Sequence, residues 1–102
     1  MILVNITFAV STEAEQLFVA WTKDTFICNA VKTGGFEHPL LCKILSVDKD
    51  CATSYALQMR HYSESEAHNW YERGAGAVML TDLMPKFGDK ILWFITFMDI
   101  IE

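Results

Sequence analysis

Basic residues are scarce in this chain: eight lysines and arginines stand against thirteen acids in 102 residues, for a net charge of −5. They are scattered singly. A phosphate backbone is gripped by clustered Lys and Arg, so nucleic acid is not expected as a partner. Cysteine is also sparse. Cys28, Cys42 and Cys51 are odd in number and lack CxxC spacing, a pattern that predicts buried, reduced thiols rather than a disulfide framework or a metal ribbon. The first residues contain no basic n-region and reach Glu13 before any cleavage-site pattern forms, so no signal peptide is expected. A cytoplasmic location follows, and the sequon Asn5-Ile6-Thr7 then carries no meaning. No apolar run is long enough to span a bilayer as a helix, so no membrane partner is expected. Internal repeats, linkers and low-complexity tracts are absent.

What the sequence has in excess is apolar side chain, at 52% of residues with a mean hydropathy of +0.21. A chain of this length is expected to form one domain, 1–102, with limited interior. An apolar surface closed by self-association is the natural outlet for the surplus.

The surplus concentrates in residues 90–102. At period two, Ile91, Trp93, Ile95 and Phe97 form one face; Leu92, Phe94, Met98 and Ile100 form the other, interrupted by Thr96. A half-buried strand alternates apolar and polar, whereas this one is apolar on both sides and needs cover on both.

Residues 2–10 alternate in the ordinary way, with Ile2, Val4, Ile6, Phe8 and Val10 facing a core. Thr12 and Glu15 read as a capping box that opens a helix carrying Ala14, Leu17, Phe18, Trp21, Thr25 and Cys28. It should end near Thr33, where Gly34 or Gly35 supplies a left-handed residue. A second strand is expected over 36–47, at a sheet edge because it contains Pro39. Asp48, Lys49 and Asp50 form a turn, and a third strand over 51–62 completes a hairpin. Ser63 and Glu66 make a second capping box before a helix with Ala67, Trp70, Tyr71 and Gly74 on one face. Gly74 and Gly76 cost about 1 kcal/mol each inside a helix, which predicts a kink or break. A further helical segment spans 77–86, ending around Pro85 and Gly88, and the final strand follows.

The order β-α-β-β-α-β with right-handed crossovers gives a four-stranded antiparallel sheet in the order 4-1-3-2, with both helices on one face. This is the ferredoxin-like, split-βαβ arrangement of an α+β protein. Its last strand lies at an edge and its far face is bare, so the two-faced segment 90–102 implies a homodimer that packs two sheets together, as in the dimeric α+β barrel. Leu92, Phe94 and Met98 are the expected interface residues.

Three motifs carry a resemblance. Thr33-Gly34-x-Phe36, Ser54-Tyr-Ala-Leu-Gln58 and Phe87-Gly-Asp-Lys-Ile-Leu-Trp-Phe94-x-Thr96 resemble, in order and spacing, a small bacterial domain-of-unknown-function family of about this length. The resemblance spans essentially the whole chain and implies the ferredoxin-like fold with no established activity. Many members of the family that this chain resembles carry a histidine in the middle of helix one, and this chain departs from that pattern with Phe26.

Two functional readings follow. Asn5 shares a strand face with Thr7, and Ser54, Gln58 and Arg60 occupy the corresponding face of strand three, with Thr96 joining from strand four. These side chains either line a small-molecule cavity or form the polar part of a dimer interface. The first reading is therefore a small-ligand or protein-interaction module. The alternative is a cofactor-independent, antibiotic-biosynthesis-type monooxygenase acting on a small aromatic substrate. It rests on fold analogy, in which Asn5 and Trp70 fall where haem-degrading members of that fold carry an asparagine and a tryptophan. The histidine of those members is replaced by the run Val78-Met-Leu-Thr81, so no haem and no other cofactor is expected. His38, His61 and His68 show no ligand spacing, and no metal is expected. Glu64, Glu66, Glu72 and Asp82 form a solvated helix face.

Overall fold

Ile2, Val4, Ile6, Phe8 and Val10 all point to one side of the first strand, β1 (Ile2–Ser11), and the last four have no exposed surface. The strict alternation of that strand sets the plane of the molecule. The computed structural model describes residues 1–45 and 52–102. Three further strands complete the sheet: β2 (Glu37–Lys43), β3 (Ala52–His61) and β4 (Ile91–Asp99). Their order is β2-β3-β1-β4, with every neighbouring pair antiparallel. That is the expected order read from the opposite edge. The chain is an α+β, ferredoxin-like protein.

β2 is an edge strand, as its proline requires. His38, at a φ of 53°, and the register shift between Glu37 and Leu40 interrupt its ladder around Pro39. The expected turn at Asp48-Lys49-Asp50 lies outside the described residues, as does Cys51.

The first crossover enters through a 3₁₀ turn (Thr12–Ala14) preceded by Ser11, whose side chain makes no capping hydrogen bond. The helix thus begins one residue earlier than a cap at Thr12 predicts. It continues as α1 (Glu15–Trp21), a π-helical stretch (Thr22–Ile27) and α2 (Cys28–Thr33). The π stretch corrects the expected buried face. Each wider turn takes up extra residues, so the face that begins with Ala14, Phe18 and Trp21 passes through Thr22 to Phe26 and Ala30. Thr25 and Cys28 rotate away from the core centre, and Leu17 is 68% exposed. Cys28 and Cys42 are exposed free thiols rather than buried ones.

Gly35, at a φ of 71°, ends this run in the left-handed region that favours glycine. The carbonyl oxygen of Ala30 accepts from both Gly34 and Phe36 N–H groups, at 3.0 and 3.2 Å.

The second crossover begins at Ser63, whose Oγ accepts from the Glu66 N–H at 3.3 Å. This is half of the expected capping box, because the Ser63 N–H goes instead to His61 Nδ1. α3 (Glu64–Glu72) stops at Gly74, and α4 (Ala75–Thr81) and α5 (Leu83–Phe87) follow. The break expected at the glycines is present, and a second one falls at Asp82. Gly76 has a packing role: a Cβ there would lie 2.4 Å from Trp70 Cε3.

All helices cover one side of the sheet. Between the two layers Phe8, Phe18, Phe26, Phe36, Leu57, Met59, Leu83 and Ile91 are fully buried. At about 1.5–3 kcal/mol for each large apolar side chain, this layer is the main stabilising element of the fold.

Candidate functional site on the open sheet face

β4 pairs with β1 along one side only, so its alternation has two different consequences. Ile91 is buried and Trp93, Ile95 and Phe97 are half-buried against the helices. Leu92 and Phe94 are 64% and 63% exposed on the opposite face, and Met98 and Thr96 are exposed beside them. The apolar set that has no helix above it therefore stands in solvent.

Strand register extends this face across the sheet in rows. Asn5 stands opposite Gln58 on one side and Thr96 on the other, and Leu40 lies beyond Gln58. The next row is Phe94, Thr7, Ala56 and Cys42, and a third is Met98, Leu3, Arg60 and Glu37. Asn5 Nδ2 donates to Thr7 Oγ1 at 3.0 Å, bridging the first two rows at their centre. Among the described strand residues, the formal charges of this face are Glu37 and Arg60, which face each other at one corner. The open face thus has a polar centre in an apolar, nearly uncharged surround.

Residues 1–101 match the family model of a domain of unknown function, DUF4286. The chain belongs to the DUF4286 family. No curated protein matches it. Among solved structures the DUF4286 chain is similar to a protein from Deinococcus radiodurans named as a candidate antibiotic biosynthesis monooxygenase. The TM-score there is 0.74 at 14% identity, covering 100% of this chain and 94% of that one. It is also similar to an ethyl tert-butyl ether d (EthD) family protein from Bacillus halodurans, with TM-score 0.66, 14% identity and coverage of 98% and 100%. A third is a dimeric ferredoxin-like protein from an uncultured marine organism, with TM-score 0.62, 11% identity and coverage of 100% and 96%. At these identities the likeness establishes the fold.

The DUF4286 chain brings four of the five candidate ligand residues together and separates the fifth. Asn5, Gln58, Arg60 and Thr96 share the open face. Trp70 lies on the other side of the sheet, 8% exposed, with ring centroids 5.0 Å from Phe36, 5.7 Å from Phe26 and 4.9 Å from Tyr71. Odd-numbered residues of β1 point away from the helices, whereas Trp70 points down from a helix, so Asn5 and Trp70 line no common space. The reason is the phase of β1, which gives the core to the even positions.

The three histidines of the DUF4286 chain also lie apart. His38 sits in the β2 irregularity. His61 is buried and fully hydrogen-bonded, with Nε2 2.9 Å from the Gly34 carbonyl oxygen and Nδ1 3.0 Å from the Ser63 nitrogen. His68 stacks on Phe97 at 3.7 Å, with Glu64 and Glu72 carboxylates 3.8 and 3.5 Å from its two ring nitrogens. Among the described residues no three His, Cys, Asp or Glu side chains converge on a point that could hold a metal ion. Two of the shallow grooves among the described residues flank the helices. One runs over Ser63, His68, Asn69 and Arg73, and the other over Gln16, Val19 and Lys23 beside Tyr55, whose hydroxyl donates to Glu15 Oε1 at 3.3 Å. Burial, then the neighbouring Glu15 charge and its hydrogen bond, push the Tyr55 phenol upward, which keeps it a neutral donor. No helix among the described residues is long and apolar enough to cross a membrane.

The role of His61 was not legible in the sequence. Its partners are backbone groups at Gly34 and Ser63, far apart in the chain, and no side-chain pattern announces a bond to a backbone carbonyl.

Proposed function

We propose that this DUF4286 chain is a cytoplasmic protein-interaction module whose principal partner is a second copy of itself. Two single-domain protomers, each spanning 1–102, stack their open sheet faces, and Leu92, Phe94 and Met98 form the apolar part of the contact. The observation that carries this reading is the composition of the face among the described strand residues, apolar at β4 and β2, polar but uncharged at the centre, and charged at one corner. Its size also suits the purpose. Four strands of 10, 7, 10 and 9 residues, about 4.8 Å apart and rising about 3.3 Å per residue, offer on the order of 600 Å² in projection. Side-chain relief brings that close to the roughly 800 Å² per partner of a standard interface. The dimeric state named for the ferredoxin-like protein of the marine organism is consistent with this architecture.

A small ligand bound by Asn5, Gln58, Arg60 and Thr96 would have to enter the same interface. A monooxygenase reading that pairs Asn5 with Trp70 draws no support from their placement on opposite faces. Multi-angle light scattering at micromolar concentration tests the dimer directly, and a monomer mass overturns it. Phe94→Asp puts a charge on the face without touching the helix-side core. It is expected to yield a folded monomer or a precipitate, and a variant that keeps the dimer mass sinks the assignment of this face.

A further inference from the structure

A two-fold axis restricts what can sit on it. In a face-to-face dimer, side chains near the axis meet their own copies, whereas peripheral ones meet different residues. The region where all four strands overlap has its centre between β3 and β1, in the patch formed by Asn5, Thr7, Ala56 and Gln58. An ionised group at that point would face its own charge out of water. A carboxamide carries both donors and an acceptor, so its copy is its complement. The residues found there are two amides, a hydroxyl and a methyl group.

The bonding of these amides within one protomer is incomplete. Asn5 Nδ2 donates to Thr7 Oγ1, which leaves Asn5 Oδ1 and one N–H unused. The Gln58 amide and the Thr96 hydroxyl make no side-chain hydrogen bond among the described residues. Apart from the Glu37–Arg60 corner, most of the surrounding face, Leu3, Leu40, Leu92, Phe94 and Met98, is apolar, and apolar contact is non-directional. It would tolerate several sheet-on-sheet registers at similar free energy. A buried amide without a partner is disfavoured in every register but the one that pairs it.

We propose that the Gln58 and Asn5 amides of the two protomers form one hydrogen-bonded cluster on the two-fold axis and so select a single register of the dimer. This inference rests on the dimer reading above. The logic is that of a lone buried asparagine in a coiled coil, which fixes alignment where leucine alone would not. The central polar row is then the specificity element of the interface, and the flanking Phe94 and Leu92 supply its affinity.

Charge complementation tests the placement. The parent protein is measured first, and a monomer there overturns the dimer reading and this inference together. With a dimeric parent, Gln58→Glu and Gln58→Lys are each expected to weaken self-association at least 100-fold, because each meets its own charge. Their equimolar mixture is expected to regain the dimer mass, seen in native mass spectrometry as a mixed species. Charged variants that dimerise as tightly as the parent overturn the inference and leave the dimer standing. So does a mixture that remains monomeric. The double variant Asn5→Leu, Gln58→Leu supplies a second readout that introduces no charge. It is expected to stay dimeric but to show more than one set of amide resonances for β1 and β3. A single set matching the parent elsewhere in the sheet overturns register selection.

Discussion

His61 and Gly34 join the two crossovers of the fold: the His61 Nε2–H donates to the Gly34 carbonyl oxygen across 2.9 Å. The other ring nitrogen, Nδ1, accepts from the Ser63 N–H at 3.0 Å, so the tautomer is fixed by its partners. Phe36 packs edge-on against the same ring at 4.8 Å. One imidazole therefore closes the exit of the first helical run and the entry of the second. His61→Ala leaves a part-buried carbonyl and a part-buried N–H without their protein partner, and is expected to cost about 1–3 kcal/mol. A urea midpoint lowered without a change in m-value is the expected result. Long-range ¹⁵N–¹H correlation in the parent should show the proton on Nε2, and a proton on Nδ1 would contradict the assignment.

Gly76→Ala sets two effects against each other. Alanine gains about 1 kcal/mol of helix propensity over glycine. Its Cβ, however, would sit 2.4 and 2.5 Å from Trp70 Cε3 and Cζ3 and 3.0 Å from the Trp70 carbonyl oxygen. The ring is held by Phe26, Phe36 and Tyr71 and has little room to move, so overpacking at about 1–3 kcal/mol wins. Net destabilisation by thermal denaturation is the expected outcome, and a raised Tm would show that the ring yields.

Tyr71→Phe is expected to stabilise the protein. The Tyr71 hydroxyl is buried without a hydrogen-bond partner among the described residues, and removing such a group recovers about 1–2 kcal/mol of desolvation. The same burial raises the phenol pKa above its ordinary 10.0. A group whose folded pKa lies above its unfolded value keeps stability constant below the unfolded value and loses it above. The parent should therefore hold its stability up to about pH 10 and then lose up to roughly 1.4 kcal/mol per pH unit for this phenol. Tyr55, raised by burial and by Glu15, adds a loss of the same sign. Chemical denaturation between pH 8 and 11 checks the point. In Tyr71→Phe the alkaline decline should be shallower, and an equal slope would deny Tyr71 its part.

His38 occupies the left-handed region at a φ of 53°. A side chain with a Cβ is strained there by about 1–2 kcal/mol, whereas glycine is not. Glycine in turn loses about 0.5–1 kcal/mol through chain entropy. His38→Gly should accordingly be neutral to stabilising by about 1 kcal/mol in equilibrium unfolding. A loss above that range would show that the imidazole makes a contact that outweighs the strain.

Much of the architecture was legible because it follows from local periodicity. The even positions of β1, the proline in β2, the glycine break after α3 and the left-handed Gly35 each act through backbone geometry that a residue carries with it. The first helical run was misread for an equally physical reason. Its buried face depends on the number of residues per turn. The π stretch, beside which the Thr22 hydroxyl bonds the Phe18 carbonyl oxygen at 2.8 Å, changes that number without any breaker residue.

The amino-acid sequence by itself determined which residues alternate, the order of the elements, and that β4 is apolar on both faces. These properties are set by side-chain chemistry at short range. Tertiary structure alone decided that Trp70 is a core residue beneath the helices while Asn5, Gln58 and Thr96 meet on the open side. Convergence of that kind depends on strand register and on which side the helices cover, and both are fixed by contacts between segments distant in the chain. That global packing also leaves Leu92 and Phe94 in solvent, turning the surplus of apolar side chain into a surface that a second copy can cover.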